Sequence, residues 1–185
     1  MNSKFKELFA PTVVLVCICL ISSLLLAATY QITKPLIAAI TIKNANLARA
    51  EVLPESSGFN PVENIELLDG VVEVYESVNG VGYVITSQFK GFGGLVTVMT
   101  GIDNKGSIKK VKVTDASAET PGLGSKATAP SYLEQYNNAY LITSDTNSAD
   151  ATFINGITGA TYTSRAVFSA VSAALQQYST LGGGF

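Results

Sequence analysis

The segment VVEVYESVNGVGYVITS, residues 71–87, decides the fold class of this chain. Both halves are rich in β-branched residues and partly alternate between apolar and polar side chains, which is typical of strands. Asn79-Gly80 between them is a strong turn signal, because a type I′ hairpin turn needs a positive φ at both central positions. The segment therefore predicts a β-hairpin with strands at Val71–Val78 and Gly82–Ser87.

The strand pattern continues toward the carboxyl end. Leu95–Ile102 and Ser107–Thr114 have the same character, and a turn signal at Asp103–Gly106 separates them. Together with the hairpin they predict an antiparallel meander. The last strand carries a group of cations that we expect on an exposed face or edge of the sheet rather than at a binding site: Lys109, Lys110 and Lys112.

Helical patterns follow the meander. Ser131–Tyr140 predicts a short helix, and Ala151–Ile154 predicts one more strand. Apolar residues then recur at helical spacing and predict a terminal amphipathic helix: Val167, Ala170, Val171, Ala174, Leu175 and Tyr178. The predicted fold class is α+β, a globular domain with a mainly antiparallel sheet and flanking helices.

An uncharged, apolar run precedes the domain. TVVLVCICLISSLLLAATY, Thr12–Tyr30, lies within a stretch that has no charged residue between Glu7 and Lys34. Because a membrane-spanning helix needs about 20 apolar residues, the run predicts a transmembrane helix over 11–32. The alternative is a signal peptide cleaved near Ala27-Ala28, but the run is longer than the apolar region of a typical signal peptide.

These patterns divide the chain into four regions. We expect a cytoplasmic tail at 1–10, the transmembrane helix at 11–32, a connector or stalk at 33–61 and the globular domain at 62–185. Positive charges nearly balance on the two sides of the apolar run, so the positive-inside rule decides little. The very short N-terminal tail favours an orientation with the N-terminus inside and the domain exported.

Composition excludes several kinds of chemistry. The chain has no histidine, which rules out Ser-His-Asp and Cys-His catalysis and His-ligated zinc or haem. Its only cysteines, Cys17 and Cys19, cannot bond to each other on a helix and cannot form a metal cluster alone. A net charge of −2 without a basic block argues against nucleic-acid binding. A redox function would therefore require an organic cofactor.

Two loops are candidates for binding. Glu119–Gly124 reads ETPGLG, which is either an ordinary turn or a loop whose glycines let the backbone approach a flat ligand. Thr158–Ser164 reads TGATYTS at the start of the terminal helix. Its hydroxyls either cap that helix or belong to an anion site at the positive end of the helix dipole.

The second loop resembles the flavinylation motif of the FMN-binding domain in the G subunit of Rnf-type electron-transport complexes. The C subunit of the Na⁺-translocating NADH:quinone reductase carries a similar domain. Aligned to this chain, the motif runs from Asn155 to Thr163, with Asn155 where the family has Asp. ETPGLG resembles the second family signature, near the flavin ring, and Gly91–Gly94 resembles the family's glycine-rich loop.

The resemblance implies covalent FMN, linked by a phosphoester to Thr163. Asn155 is then a supporting residue that can cap the loop through its side-chain carbonyl. We expect no catalytic residue and no metal site in this chain. The other residues expected around the cofactor are Glu119, Thr120, Gly122, Leu123, Gly124, Thr158, Gly159, Ala160, Thr161 and Ser164.

The resemblance also implies a setting. The chain is expected to be an electron-transfer subunit of an ion-translocating ferredoxin:NAD oxidoreductase, inactive alone, with its flavin domain on the outer side of the cell membrane. Its partners would be the other membrane and peripheral subunits, membrane lipid, and a flavin transferase that moves FMN from FAD to the threonine. The alternatives are a flavin domain of another membrane assembly and a cofactor-free binding module.

Overall fold

The computed structural model describes residues 3–148 and 150–182, so the predicted tail at 1–10 lies in part outside the described residues. The chain forms two compact units, which divide between Ala45 and Asn46. This boundary comes earlier than the predicted domain start at residue 62. The difference arises because Val52 and Leu53, assigned to the connector, are fully buried in the second unit.

Helix α1 runs from Ser3 to Val52 and includes Pro11 and Pro35 in its interior. In the described part of the chain it is the one helix that is long and apolar enough to cross a membrane. From residue 11 to residue 44 the apolar side chains of this helix are exposed, and so are both cysteines, which are free thiols as predicted. Hydroxyls in this stretch bond within the helix; Thr29 Oγ1, for example, donates to the Leu25 carbonyl at 2.8 Å.

The second unit is built on a five-stranded sheet in the order β1-β2-β3-β4-β5. Each neighbouring pair is antiparallel, which confirms the predicted meander. The four predicted strands are present, and the structure adds a short edge strand before them. The strands are β1 (Phe59–Pro61), β2 (Val71–Ser77), β3 (Gly82–Lys90), β4 (Leu95–Asp103) and β5 (Ile108–Asp115).

The turn between β2 and β3 differs from the predicted type I′ turn. Gly80 has a positive φ of 67°, but Asn79 does not, and the Gly80 N–H donates to the Ser77 carbonyl at 3.0 Å. The Asn79 side chain instead donates to the Glu55 carbonyl at 2.8 Å. Asn79 therefore ties the turn to the segment after α1.

The elements after the sheet are short until the last helix. They are a 3₁₀ turn (Gly124–Thr128), α2 (Pro130–Leu133), a second 3₁₀ turn (Glu134–Tyr136), β6 (Ile142–Thr143), β7 (Thr152–Phe153) and α3 (Thr161–Thr180). The predicted helix at Ser131–Tyr140 stops at Tyr136, because Asn138 and Ala139 hydrogen-bond instead with the backbone of Ile108. The predicted strand at Ala151–Ile154 is β7, which pairs with β6 in parallel.

Helix α3 supplies the centre of the core. The predicted apolar stripe is confirmed, since its members are buried and pack with β3 and β4 residues such as Ile85 and Val98. Gln177 is a polar exception that is also fully buried. It accepts a hydrogen bond from the Leu68 N–H at 2.8 Å and donates to the Glu66 carbonyl at 3.1 Å. Gln177 thus holds the irregular segment 62–70 against α3.

The lysines of the edge strand β5 are half-buried and paired with acids. Lys110 bonds Glu51 Oε1 at 3.0 Å, and Lys112 bonds Glu51 Oε2. Lys109 lies 3.4 Å from Asp103 Oδ2. The prediction of an edge position is confirmed. The ion pairs of Lys110 and Lys112 with Glu51 also connect the last turn of α1 to the sheet.

Arg49 provides a second contact between that turn and the sheet. It is 4% exposed, and its guanidinium lies 3.5 Å from the centre of the Tyr75 ring. Its Nη1 donates to Asn46 Oδ1 at 2.8 Å, and its Nη2 donates to Glu73 Oε2 at 3.3 Å. A planar cation is required here, because only a guanidinium stacks on the ring while donating along its edge.

We expect Arg49→Ala to lower the free energy of unfolding by about 2 kcal/mol, since a desolvated cation–π contact is worth about that much. Arg49→Lys keeps the charge but loses the stacked plane, so it should recover only part of the loss. The measurement is thermal unfolding of the full chain in detergent, followed by circular dichroism. Lys43→Ala, at an exposed position of the first unit, is the control; equal midpoints for Arg49→Ala and Lys43→Ala would contradict the prediction.

Candidate functional site

The glycine-rich loop 91–94 surrounds the carboxylate of Glu119. This side chain is 5% exposed, and its Oε1 accepts a hydrogen bond from the Gly93 N–H at 3.0 Å. The loop needs its glycines because there is no room for side chains: a Cβ on Gly91 would lie 2.4 Å from Glu119 Oε1, and one on Gly93 would lie 1.8 Å from the Ala118 carbonyl oxygen. The loop therefore wraps closely around a buried acid.

Thr163 completes this arrangement from the other side. It lies in the first turn of α3, is 1% exposed, and its hydroxyl donates to Glu119 Oε2. The two residues are separated by 44 positions. Gly124 closes the contact, since a Cβ there would lie 2.8 Å from Glu119 Oε2 and 3.1 Å from Thr163 Oγ1. The two loops that were singled out from the sequence thus meet at one hydrogen bond.

The environment keeps Glu119 ionised. Burial raises the pKa of its carboxyl group, but the hydrogen bonds from Thr163 and from the backbone amides of Gly93, Gly94 and Phe92 together outweigh burial and leave the pKa below its usual value. A carboxyl group with a lowered pKa is charged at neutral pH. Thr163 therefore donates to a carboxylate, not to a neutral acid.

The start of α3 has no side-chain cap. The N-cap residue is Ala160, which has no side-chain acceptor, so the interpretation of this loop as a hydroxyl cap is not supported. The first N–H groups of a helix have no intrahelical acceptor, and here they belong to Thr161, Tyr162 and Thr163. Free amides and the positive end of the helix dipole together suit an anion such as a phosphate ester.

A shallow pocket opens above this contact. Its volume is about 80 Å³, and it is lined by Phe92, Glu119, Thr120, Leu123, Gly124, Gly159, Ala160, Thr161, Tyr162 and Thr163. Phe92 and Tyr162 flank it with their rings 6.2 Å apart, and they are 69% and 65% exposed. Pockets that enclose a drug-sized ligand measure about 300–1,000 Å³. A flat ligand would therefore lie against the surface, with only part of it in the pocket.

Three of the residues expected around the cofactor lie outside this pocket. The Gly122 N–H donates to Ser125 Oγ at 2.9 Å in a turn, and nothing lies within 4 Å of where its Cβ would be. Thr158 is exposed and does not line the pocket. The Ser164 hydroxyl donates to the Thr161 carbonyl at 3.2 Å, and Ser164 lines a different cavity.

Asn155 also lines that second cavity, which measures about 310 Å³ and includes Arg165 and Tyr132. The structure shows hydrogen bonds of its backbone, and capping by its side chain stays a prediction. Asn155 uses its backbone, whose N–H donates to Gln135 Oε1 at 2.8 Å and whose carbonyl accepts from Gln135 Nε2 at 3.4 Å. The side chain of Gln135 thus fixes this part of the loop.

Sequence reasoning did not assign Phe92 or Tyr162 to the site. A signal was present for both, since each is an aromatic residue among small ones, in GFGG and in TGATYTS. Aromatic side chains that remain exposed beside a pocket are typical of binding surfaces.

Comparison with known proteins matches this chain to a domain family and to full-length relatives. The FMN-binding domain family matches residues 91–176. The G subunit of the proton-translocating ferredoxin:NAD(+) oxidoreductase complex of Clostridium ljungdahlii is 30% identical over 184 residues, covering 97% of this chain and 96% of that protein. Its Na(+)-translocating counterpart from Acetobacterium woodii is 30% identical over 197 residues, covering 96% and 94%.

A solved structure also matches part of the chain. The crystal structure of Shewanella oneidensis NqrC superposes with a TM-score of 0.46 at 20% identity, covering 58% of this chain and 61% of that one. The sequences from Clostridium ljungdahlii and Acetobacterium woodii, in contrast, align with this chain over nearly its whole length.

Proposed function

The chain belongs to the family of G subunits of ion-translocating oxidoreductase complexes, and from that premise we propose that it is the membrane-anchored FMN carrier of such a complex. Helix α1 anchors it in the lipid, and the folded unit relays electrons between neighbouring subunits. The complex couples electron transfer from ferredoxin to NAD with transport of protons or sodium ions. The chain alone performs no turnover.

The FMN is joined to Thr163 by a phosphoester. The observation that carries this assignment is the buried hydrogen bond between Thr163 and Glu119, where both candidate loops meet. The neighbouring hydroxyls are less suited, because Thr158 and Thr161 are exposed and Ser164 donates to a carbonyl. Among these residues, Thr163 is the one whose hydroxyl donates a hydrogen bond to a carboxylate.

The residues around Thr163 fit the rest of the cofactor. The amides at the start of α3 suit the phosphate, and the Glu119–Gly124 loop with Phe92 and Tyr162 suits the flat ring. Bound FMN supplies one- and two-electron transfer. The protein's part is to hold the ring at an open surface, within reach of a partner's redox centre.

A covalent link suits a site outside the membrane. A dissociated flavin would be lost there, whereas a tether keeps its effective concentration permanently high. The phosphoester leaves the ring unmodified. On the strength of the family resemblance, we propose that a separate flavin transferase makes the link, which is consistent with a chain that has no histidine.

The test uses the full chain, purified from cells that co-express a flavin transferase. We expect flavin fluorescence to persist on a denaturing gel and the intact mass to increase by one FMN less one water. Peptide mapping should place that mass on Thr163. A purified chain without added mass, or with the mass on another residue, would overturn the assignment.

The proposed orientation makes a separate prediction. With α1 uncleaved and the N-terminus inside, alkaline phosphatase fused after residue 185 should be active, and a fluorescent protein at the same place should be dark. The intact mass should include the N-terminal segment. A mature chain that starts near Thr29 would instead establish a cleaved signal peptide, and an inactive phosphatase fusion would reverse the orientation.

A further inference from the structure

We propose that Glu119 accepts the proton of Thr163 when the phosphoester forms, a role that rests on the proposed attachment site. The Thr163 hydroxyl already donates to Glu119 Oε2, and both side chains are buried. A base in hydrogen-bond contact with a hydroxyl nucleophile is the arrangement that activates a weak nucleophile. The chain would thus bring its own base to a reaction catalysed by another protein.

The carboxylate is held rigidly for this role. Its other oxygen accepts the Gly93 N–H at 3.0 Å, and the carboxylate packs so closely on the loops that a Cβ on Gly91 would lie 2.4 Å from Oε1 and one on Gly124 would lie 2.8 Å from Oε2. Fixing Oε1 keeps Oε2 directed at Thr163. The hydroxyl hydrogen therefore points to Glu119, and a phosphorus atom would approach the oxygen from the pocket that Thr163 lines.

Hydrogen-bond donors around Glu119 favour its ionised form. In the described residues no ion pair involves Glu119, and the stabilising groups are the amides of the glycine loop and the Thr163 hydroxyl. Of the pocket residues, the one other titratable side chain is Tyr162, which is exposed. The carboxylate is therefore unprotonated before the reaction, and it can accept the proton because the Thr163 hydroxyl becomes much more acidic as its oxygen bonds to phosphorus.

The step is a balanced phosphoryl transfer from a flavin dinucleotide. The bond between Thr163 Oγ1 and the FMN phosphorus forms as the phosphoanhydride bond breaks. AMP leaves with the bonding electron pair, and nothing is oxidised or reduced. The Thr163 proton passes to Glu119 and then to water.

The experiment compares rates of flavin incorporation into the detergent-solubilised full chain by a purified transferase with FAD. We expect Glu119→Gln to be about 100-fold slower than the parent, within the usual effect of a general base. Asp103→Asn is the matched control. Asp103 is also a buried carboxylate that accepts backbone N–H groups, from Lys105 and Ser107 at 2.9 Å, but it lies at the opposite end of β4. Its rate should stay within about twofold of the parent.

Two further readouts separate proton transfer from support of the fold. The ratio of the Glu119→Gln rate to the Asp103→Asn rate should rise with pH, because hydroxide replaces the missing base. Glu119→Asp keeps a carboxylate and should recover most of the lost rate, even if Glu119→Gln folds poorly. Circular dichroism reports the fold of each variant.

The outcomes distinguish a failure of this inference from a failure of the proposed attachment site. If Thr163→Ala stays unlabelled while Glu119→Gln labels as fast as Asp103→Asn, only the inference fails. A slow Glu119→Asp, or a flat rate ratio across pH, also overturns it. If the parent is not labelled, or if Thr163→Ala is labelled, the attachment site fails and the inference fails with it.

Discussion

Thr163→Ala is expected to abolish covalent flavin while the protein stays folded. The variant removes the hydroxyl that we propose as the acceptor, so in-gel fluorescence should fall from full to none. It also removes one hydrogen bond to a buried carboxylate, which costs about 2 kcal/mol. Glu119 keeps its bond from the Gly93 N–H, so the loop should remain in place.

Thr161→Ala is the matched control for this variant, because it removes the same side chain from the same helical turn at an exposed position. It should keep its flavin. Thr163→Ser should keep part of the label, since the hydroxyl is retained but the methyl group that orients it is lost. Full fluorescence in Thr163→Ala would show that another residue is the acceptor.

Gly93→Ala is expected to have the largest effect on stability. A Cβ at this position would lie 1.8 Å from the Ala118 carbonyl oxygen and 2.8 Å from its carbon, and backbone atoms cannot move aside as a side chain can. Overpacking of this kind costs about 3 kcal/mol. Because the same loop holds Glu119, flavin incorporation should fall along with the unfolding midpoint.

Gly156→Ala tests whether the effect of Gly93→Ala is steric. The nearest atom to a Cβ at Gly156 is Ser164 Oγ at 3.6 Å, an ordinary contact, so this variant should unfold and incorporate flavin like the parent. Thermal unfolding and in-gel fluorescence of both variants provide the comparison. Equal midpoints for the two would mean that the loop shifts freely and does not hold Glu119 in place.

Local patterns predicted most of the sheet and the last helix. Alternation in residues 71–87 and helical spacing around Val171 reflect burial on one face, and burial follows directly from side-chain polarity. The end of α1 was harder to predict, because its burial depends on a partner distant in sequence. Val52 approaches Gly101 so closely that a Cβ there would lie 2.2 Å from the Val52 carbonyl oxygen. No short-range pattern encodes that approach.

The candidate site also combines residues that local patterns predicted with a contact between distant residues that they did not predict. The motif resemblance predicts a role for Thr163, and ETPGLG predicts one for Glu119, but neither pattern indicates that the two side chains share a hydrogen bond. That contact depends on how the loop after β5 folds against the start of α3. The capping role expected for Asn155 stays a prediction. The contact that the structure shows there, from the Asn155 N–H to the Gln135 side chain, joins residues 20 positions apart, and no local pattern indicates it.

Segment 62–70 is held against α3 through hydrogen bonds to one side chain, Gln177. Val62, Ile65 and Leu68 cover the core only in part, and most of the segment has no strand partner. Hydrogen bonds to a neutral side chain contribute about 1 kcal/mol each, far less than the sheet and α3 gain together. We therefore expect the segment to open by local fluctuation while the rest of the unit stays native, and limited proteolysis of the folded chain should cut there first.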